Sequence, residues 1–339
     1  MSTSAVVELR PAKAAKYRSP DPKEVKNAPR SVETPIGNLT FVKGMPTDET
    51  ARILDDNLDL LHGVDAFLKN FSGVSLYRLF KAQRRLGSVG TGKFRIFSGP
   101  PAQQLRLARA SGFDGWCFID LEKEGATIID LPPDLLGGVF DMWFRLVGDL
   151  GPAAGDGKRG GKYLLLPPRQ QFELPSDCRI LRPKSHRVWL FLRTLRPHRN
   201  RNDFDRAVEE FGIRSLAEDR EARDIELADG TKLARGGVGL NDADFFEDLN
   251  RLIQAEPFGA IDRSSHHLLA SIGIVKGKPF RPTLRMKRIL RDASAIGSAT
   301  VRSITQKKPL PGTFLRNQNY GTGTVMSPEL KPRNANTML

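Results

Sequence analysis

Between Trp116 and Leu195 the chain alternates short apolar runs with turn residues. The runs are Trp116-Cys117-Phe118-Ile119, Ala126-Thr127-Ile128-Ile129, Val139-Phe140 with Met142-Trp143-Phe144 and Leu146-Val147, Tyr163-Leu164-Leu165-Leu166, Arg179-Ile180-Leu181 and Val188-Trp189-Leu190-Phe191-Leu192. Each is too short for an ordinary helix and is bounded by Gly, Pro or Asp, which predicts a small antiparallel β-sandwich. Upstream, a short strand is expected around Leu39, Phe41 and Val42, followed by a helix start at Thr47 with Asp48 and Glu49 in its first turn. Ile53, Leu54, Leu58 and Leu61 then share a face. Two further helices, over roughly 64–71 and 76–86, carry Phe67, Phe71, Leu76, Leu79 and Phe80, and all three should pack against the sandwich edge.

Downstream the period moves toward that of a helix. A short helix is expected at 203–211 and a minor hairpin over 224–233, turning at Asp229-Gly230. Three helices follow. The first runs from about Asn241 to Pro257, with Phe245, Phe246, Leu249, Leu252 and Ile253 on one face. The second covers 264–272 and closes at Gly273; the third covers 283–304, with Leu284, Met286, Ile289, Leu290 and Ile296 inward and a basic stripe outward. The expected fold class is α+β: an immunoglobulin-like antiparallel β-sandwich flanked by an N-terminal helical segment and a small C-terminal helical domain. The expected divisions are a disordered basic tail at 1–31, strand and helices at 32–97, the sandwich at 98–200, the helical domain at 201–305 and a disordered tail at 306–339.

Charge changes the picture of partners. Lys and Arg number 53 against 39 Asp and Glu, a net charge of +14, and the pI is near 10.0. Such an excess invites an acidic partner such as nucleic acid, anionic lipid or a polyanionic polymer. Much of it sits at the two ends, in Arg10, Lys13, Lys16, Arg18, Lys23, Lys26 and Arg30, and in Arg281, Arg285, Lys287, Arg288, Arg291, Arg302, Lys307 and Lys308. Hydrophobic residues make up 39%, enough for real cores. Cys117 and Cys178 match no metal-binding spacing; they are either a pair across the sheets or two buried small hydrophobes. No signal-peptide pattern opens the chain and no run is long enough for a membrane span, so the cytoplasm is expected, or the cell envelope if the N-terminus is incomplete.

Candidate chemistry is sparse. Gly87-Ser88-Val89-Gly90-Thr91-Gly92-Lys93 has the spacing of a phosphate-binding loop, but Phe94 stands where a magnesium-binding hydroxyl is needed and a helix is expected before it. His266 and His267 are adjacent, about 100° apart on a helix, and cannot share a metal unaided. His186 and His198 each sit among Lys and Arg, with no carboxylate nearby in sequence. No metal site and no cofactor is predicted. Asp120 with Glu122, and Asp141 with Asp149, offer carboxylates on neighbouring strands for a glycosidase-like pair. The binding candidates are Trp143, Arg145, Asp149, Tyr163, Arg182, Trp189 and Arg193, because aromatic faces and guanidinium forks suit sugars and anions; core packing competes for both tryptophans.

Several stretches resemble a known family. They are Leu131-Pro132-Pro133-Asp134-Leu135-Leu136-Gly137, Asp141-Met142-Trp143-Phe144-Arg145, Gly160-Gly161-Lys162-Tyr163-Leu164-Leu165-Leu166-Pro167-Pro168 and Trp189-Leu190-Phe191-Leu192-Arg193. To these add Thr34-Pro35-Ile36-Gly37, Gly63-Val64-Asp65-Ala66-Phe67-Leu68, Phe245-Phe246-Glu247-Asp248-Leu249-Asn250 and Lys276-Gly277-Lys278-Pro279-Phe280. Together they resemble bacterial proteins built from domains of unknown function 1254 and 1214. The resemblance implies an immunoglobulin-like sandwich, a small helical domain and then a jelly roll, for which 306–339 carries no strand pattern. It departs at 98–115, where relatives carry an Asn- and Thr-rich segment. The family brings architecture and no settled activity.

Three functions are in play. In order they are a non-catalytic binding or structural module with a sugar or other polar ligand by Trp143, Arg145, Tyr163 and Arg193; a glycan hydrolase or lyase using Asp141, Asp149 or Asp120; and nonspecific polyanion binding by the basic ends and the Arg281, Arg285, Arg288 and Arg291 stripe, nucleic acid being least favoured. Without a jelly roll, an apolar surface around Phe245, Leu249, Leu284 and Ile289 is expected to lie uncovered and drive self-association, unless these helices close on themselves and on those of 47–86. Light scattering separates the two: a monomer with low dye binding excludes the uncovered surface.

Overall fold

The computed structural model describes residues 30–85, 93–98, 113–133, 135–156, 159–170, 177–194, 210–216, 226–229 and 244–306. They fall into two compact units, divided between Leu58 and Asp59. In the first, strands β1 (Ser31–Thr34), β2 (Gly37–Val42) and β3 (Met45–Pro46) form an antiparallel sheet in that order. Helix α1 (Asp48–Arg85) starts here. The Thr47 hydroxyl accepts the Thr50 N–H at 3.3 Å, and the Thr50 hydroxyl accepts the Thr40 N–H at 2.8 Å, so the helix cap is tied to β2.

Three helices were expected where α1 runs unbroken for 38 residues. The expected breaks contain no proline, and a lone glycine costs a helix only about 1 kcal/mol. Both glycines instead mark close approaches. A Cβ on Gly63 would stand 2.8 Å from the Ala293 Cβ, and one on Gly73 would stand 3.2 Å from both Leu252 and Trp143. Leu54, Leu58 and Leu61, expected to face a core, are exposed.

The second unit continues with β4 (Lys93–Ser98), β5 (Phe113–Asp120), the single-turn α2 (Leu121–Glu124), β6 (Thr127–Leu131), β7 (Leu135–Asp141), β8 (Leu146–Leu150), β9 (Gly161–Leu165), β10 (Arg179–Leu181), β11 (Arg187–Thr194), β12 (Gly212–Ser215) and β13 (Glu226–Asp229). Helices α3 (Phe245–Ala255), α4 (Arg263–Ser271) and α5 (Leu284–Gln306) follow. The fold is α+β. A six-stranded sheet has the order β13-β4-β5-β11-β7-β8 and a four-stranded sheet the order β10-β9-β6-β12. Neighbours pair antiparallel except β13 with β4 and β10 with β9, which are parallel, so both sheets are mixed. Sequence periodicity missed these parallel edges. Glu226–Asp229 joins β4 in parallel, and the rest of the expected 224–233 hairpin lies outside the described residues. The expected helix at 203–211, the Gly-rich 87–92 and both tails also lie largely or wholly outside them. The Met142-Trp143-Phe144 run is a turn, not strand.

Strand β11 explains the layering. Trp189 and Phe191 join the cluster that contains Phe67, Leu76 and Phe80 of α1 and Phe245, Leu249 and Leu252 of α3. Val188, Leu190 and Leu192 join Ile129, Tyr163, Leu165 and Ile213 of the small sheet. Both faces are buried, which is why Val188 to Leu192 is apolar without alternation. The C-terminal helices close on α1: Phe245 stacks on Phe67 at 4.0 Å, and the Phe67 ring leaves no room for a Cβ at Gly297. The expected uncovered surface is therefore absent at Phe245, Leu249 and Ile289, all buried; Leu284 alone of the four is exposed, at 85%. Ile296, expected inward, also faces out, because α5 packs through Ile289, Leu290, Ala293 and Gly297. Cys117 lies in the inter-sheet cluster and Cys178 packs against a different one, so both thiols are free and the pairing across the sheets is not made.

The Gly63 contact yields a prediction. Gly63→Leu should force α1 and α5 apart and lower stability by about 2 kcal/mol, read from denaturant midpoints.

Candidate functional site

The polar groups of the second unit concentrate where β5, β7 and β11 end beneath the α3–α4 connection. A register shift between Val139 and Phe140 precedes the β7–β8 turn. Asp141 holds that turn: one carboxylate oxygen accepts the N–H groups of Trp143 at 2.8 Å and Arg145 at 3.0 Å, and the other pairs with Arg145 Nε at 2.6 Å. This lets Phe144 sit at φ +62°, a left-handed conformation unfavourable for an aromatic residue. Arg145 donates onward to the Ala260 carbonyl and lies 5.7 Å from the Trp143 ring centre. The Trp143 indole N–H donates to Asn70 of α1 at 3.0 Å, and Asn70 donates to the Ala66 carbonyl. The turn is thus tied to α1 and to the residues after α3.

Beside it, Glu256 closes α3. Its carboxylate accepts the His186 N–H at 2.6 Å and Arg187 Nη1 at 2.9 Å, with the Arg187 N–H at 3.4 Å. Arg187 also makes a 3.4 Å ion contact with Asp120 and lies over the Phe80 ring at 5.1 Å. One guanidinium therefore serves two buried acids. Burial pushes the Glu256 carboxyl up to about 7, against the opposing pull of Arg187 and the two backbone N–H groups. Further along α3, Asp248 meets Lys81 at 2.6 Å, Arg78 at 2.9 Å and Arg251 at 3.2 Å. Burial opposes its ionisation, but bonds from Lys81 and Arg78 and their charge hold its carboxyl below the ordinary value.

The seven residues proposed from sequence do not form one cluster. Trp143 and Trp189 are buried on the helix-facing side of the six-stranded sheet, 8% and 1% exposed, and Trp189 packs among Trp116, Phe140, Phe144 and Phe191. Arg145 stands beside Trp143, partly exposed. Tyr163 lies in the inter-sheet core, where its hydroxyl accepts the Gly151 N–H at 2.7 Å and donates to Asp156; burial and then that bond push it up to about 12. Asp149 is half-buried on β8. Arg182 is exposed, donating to the Gln170 carbonyl at 3.4 Å. Arg193 pairs with Asp114 and Leu136 in the sheet register, and its side chain lies outside the described residues.

Asp120 and Asp141 are both buried and both held by arginine, while Glu122 is exposed on α2. His266 stacks on Phe258 at 3.9 Å, and His198 lies outside the described residues. Among the described residues no group of three His, Cys, Asp or Glu could hold a metal, and no helix is long and apolar enough to cross a membrane. The basic stripe is partly neutralised, since Arg285 pairs with Asp59 at 2.7 Å and Arg291 approaches Asp292 at 3.5 Å.

Sequence reasoning missed Asp248, Glu256 and Arg187. A signal did exist. Phe245, Leu249 and Leu252 set a helical stripe on α3 that Asp248 flanks and Glu256 continues, and an acid on an apolar stripe implies a buried cation. Asp248→Asn should remove an acceptor that three cations share and cost about 2 kcal/mol at neutral pH. Because the Asp248 carboxyl is held low, its contribution is present above the ordinary carboxylate range and is lost as pH falls through the lower folded value. Thermal melts of the two proteins should therefore converge in acid.

The VPA0106 protein from Vibrio parahaemolyticus is similar in structure at a TM-score of 0.54 and 16% identity, over 73% of this chain and 59% of that one. This chain therefore spans about three-fifths of that protein's length, and the likeness is one of fold. A putative uncharacterized protein from Burkholderia cenocepacia gives a TM-score of 0.25 and 12% identity, over 55% of this chain and 54% of that one. No curated protein matches. Residues 112–214, running from the start of β5 into β12, match the model of a family described as a protein of unknown function, DUF1254.

Proposed function

We propose that this chain is a non-catalytic binding or structural module on an immunoglobulin-like sandwich. The observation that carries the reading is the use made of its buried acids. Asp120, Asp141, Asp248 and Glu256 each engage an arginine or lysine, and each reaches across elements or braces a turn. A general acid or nucleophile needs a face open to substrate, and these carboxylates are 1% to 5% exposed. They act as cross-links. Of the predicted binding set, Trp143 and Arg145 stay together, and the partly exposed Arg145 guanidinium, braced by the buried Trp143 ring, suits the edge of a sugar or other polar molecule.

A thermal-shift panel of glycans, anions and lipids tests the reading. A polar ligand at one hundred times its Kd should stabilise the protein by about 2.7 kcal/mol, and Arg145→Ala should abolish the effect. Turnover of a chromogenic glycoside that is lost in Asp141→Asn would favour the hydrolase instead.

A further inference from the structure

Resting on the binding-module reading, we propose that the turn Phe258–Ala260 is the sugar platform of the Arg145 site: the exposed Phe258 ring stacks on the apolar face of a β-gluco-configured pyranose while the Arg145 guanidinium holds its hydroxyls.

Among the described residues Phe258 is the only exposed Phe, Tyr or Trp, at 47%, whereas the other large hydrophobics on the surface are aliphatic. A single exposed hydrophobic residue is ordinary, but this ring is held in place. The His266 imidazole lies parallel to it, with ring centres 3.9 Å apart and planes inclined by 3°. His266 Nε2 is 2.8 Å from the Phe258 carbonyl, and because a carbonyl only accepts, that nitrogen carries the proton and the bond locks the imidazole against the phenyl. The first of the two adjacent histidines thus has a use that needs no metal.

The backbone around the ring is pinned as well. The Ala260 N–H donates to the Pro257 carbonyl at 2.9 Å, and the Ala260 carbonyl accepts Arg145 Nη2. Downstream, the Asp262 carboxylate accepts the Ser265 N–H at 2.8 Å together with the Ser264 and Ser265 hydroxyls, which fixes the start of α4, the helix that carries His266. A ligand therefore meets a preformed surface, and little conformational entropy is lost on binding.

Arg145 and Phe258 are joined through Ala260. Arg145 Nε and Nη2 are occupied by Asp141 and the Ala260 carbonyl, while Nη1 has no bond among the described residues and the side chain is 38% exposed. Ala260 is two residues from Phe258, and consecutive Cα atoms are about 3.8 Å apart, so the unused guanidinium edge and the ring are within reach of one disaccharide. A Cβ built on Gly259, between them, would meet nothing within 4 Å, so the surface is open there.

The chemistry of the two groups selects the ligand. With the imidazole on one face of the phenyl, the other face is the one a ligand meets. Its negative quadrupole favours C–H groups over hydroxyl oxygens, and a planar guanidinium suits a pair of adjacent hydroxyls. A β-glucopyranoside offers both, because its hydroxyls are equatorial and H1, H3 and H5 line one axial face.

The test is saturation-transfer NMR on the full chain with the methyl β-glycosides of glucose, xylose, N-acetylglucosamine and glucuronic acid. Irradiation of the protein's aromatic protons should pass saturation to H1, H3 and H5 of a bound ring more than to H2 and H4, and titration should move the Phe258 and His266 ring resonances. Phe258→Ala should raise the Kd of the tightest of these glycosides about tenfold, and Phe258→Trp should restore binding. If the alanine variant fails to fold, Phe258→Leu, which keeps the bulk and loses the flat face, should give the same loss. A glycoside whose Kd rises in Arg145→Ala but not in Phe258→Ala leaves the Arg145 reading standing and overturns the platform. Adenosine or tryptophan amide moving the same resonances when no glycoside does overturns the ligand class. If no glycoside receives saturation and no sugar, anion or lipid stabilises the protein, the platform and the reading it rests on both fall.

Discussion

The structure depends on a sheet that is apolar on both faces. Strands β5, β7 and β11 send Trp116, Phe140 and Trp189 one way and Cys117, Val139 and Leu190 the other. No such sheet survives in water with a single cover. The four-stranded sheet covers one side, and α1 with the C-terminal helices covers the other. This requirement accounts for the helical layer more directly than any helix propensity does, since α1, α3 and α5 bury one face each against a surface that would otherwise be exposed.

Apolar burial brings layers together but does not fix their register, because it has no direction. Direction comes from the polar ties at the strand ends. Asp141 fixes the β7–β8 turn, which presents Arg145 to the Ala260 carbonyl and Trp143 to Asn70. Glu256 and Arg187 join the end of α3 to β11, and Asp248 joins its middle to α1 through Arg78 and Lys81. Each tie crosses between elements far apart in sequence, so together they select one docking of the helical layer among many that would bury similar area.

The legible part of the fold was the part set by local pattern. Among the described residues, seven of the ten strands after α1 coincide with apolar runs read from sequence, and α3, α4 and α5 lie close to their expected bounds. Where tertiary partners decide, local pattern misled. Gly63 and the Ser72-Gly73 pair looked like helix ends because their role, admitting Ala293, Leu252 and Trp143, depends on residues far along the chain. The binding set failed to assemble for a similar reason: alternate residues of a strand point opposite ways, and a run buried on both faces gives no sign of which way each points. Trp189 and Tyr163 thus fell into different cores. The buried acids were visible only as exceptions on the α3 stripe, and their cations lay up to 170 residues away.

The two thiols have a consequence of a different kind. Cys117 is wholly enclosed between the sheets, where burial pushes its thiol far up, whereas Cys178 is half-buried at the outer side of the small sheet. A thiol reagent added to the native protein therefore meets Cys178 first and reaches Cys117 only when the sheets part. The ratio of the two labelling rates is an internal clock. It times the opening of the inter-sheet core against a surface reference in the same molecule, with no substitution or attached probe.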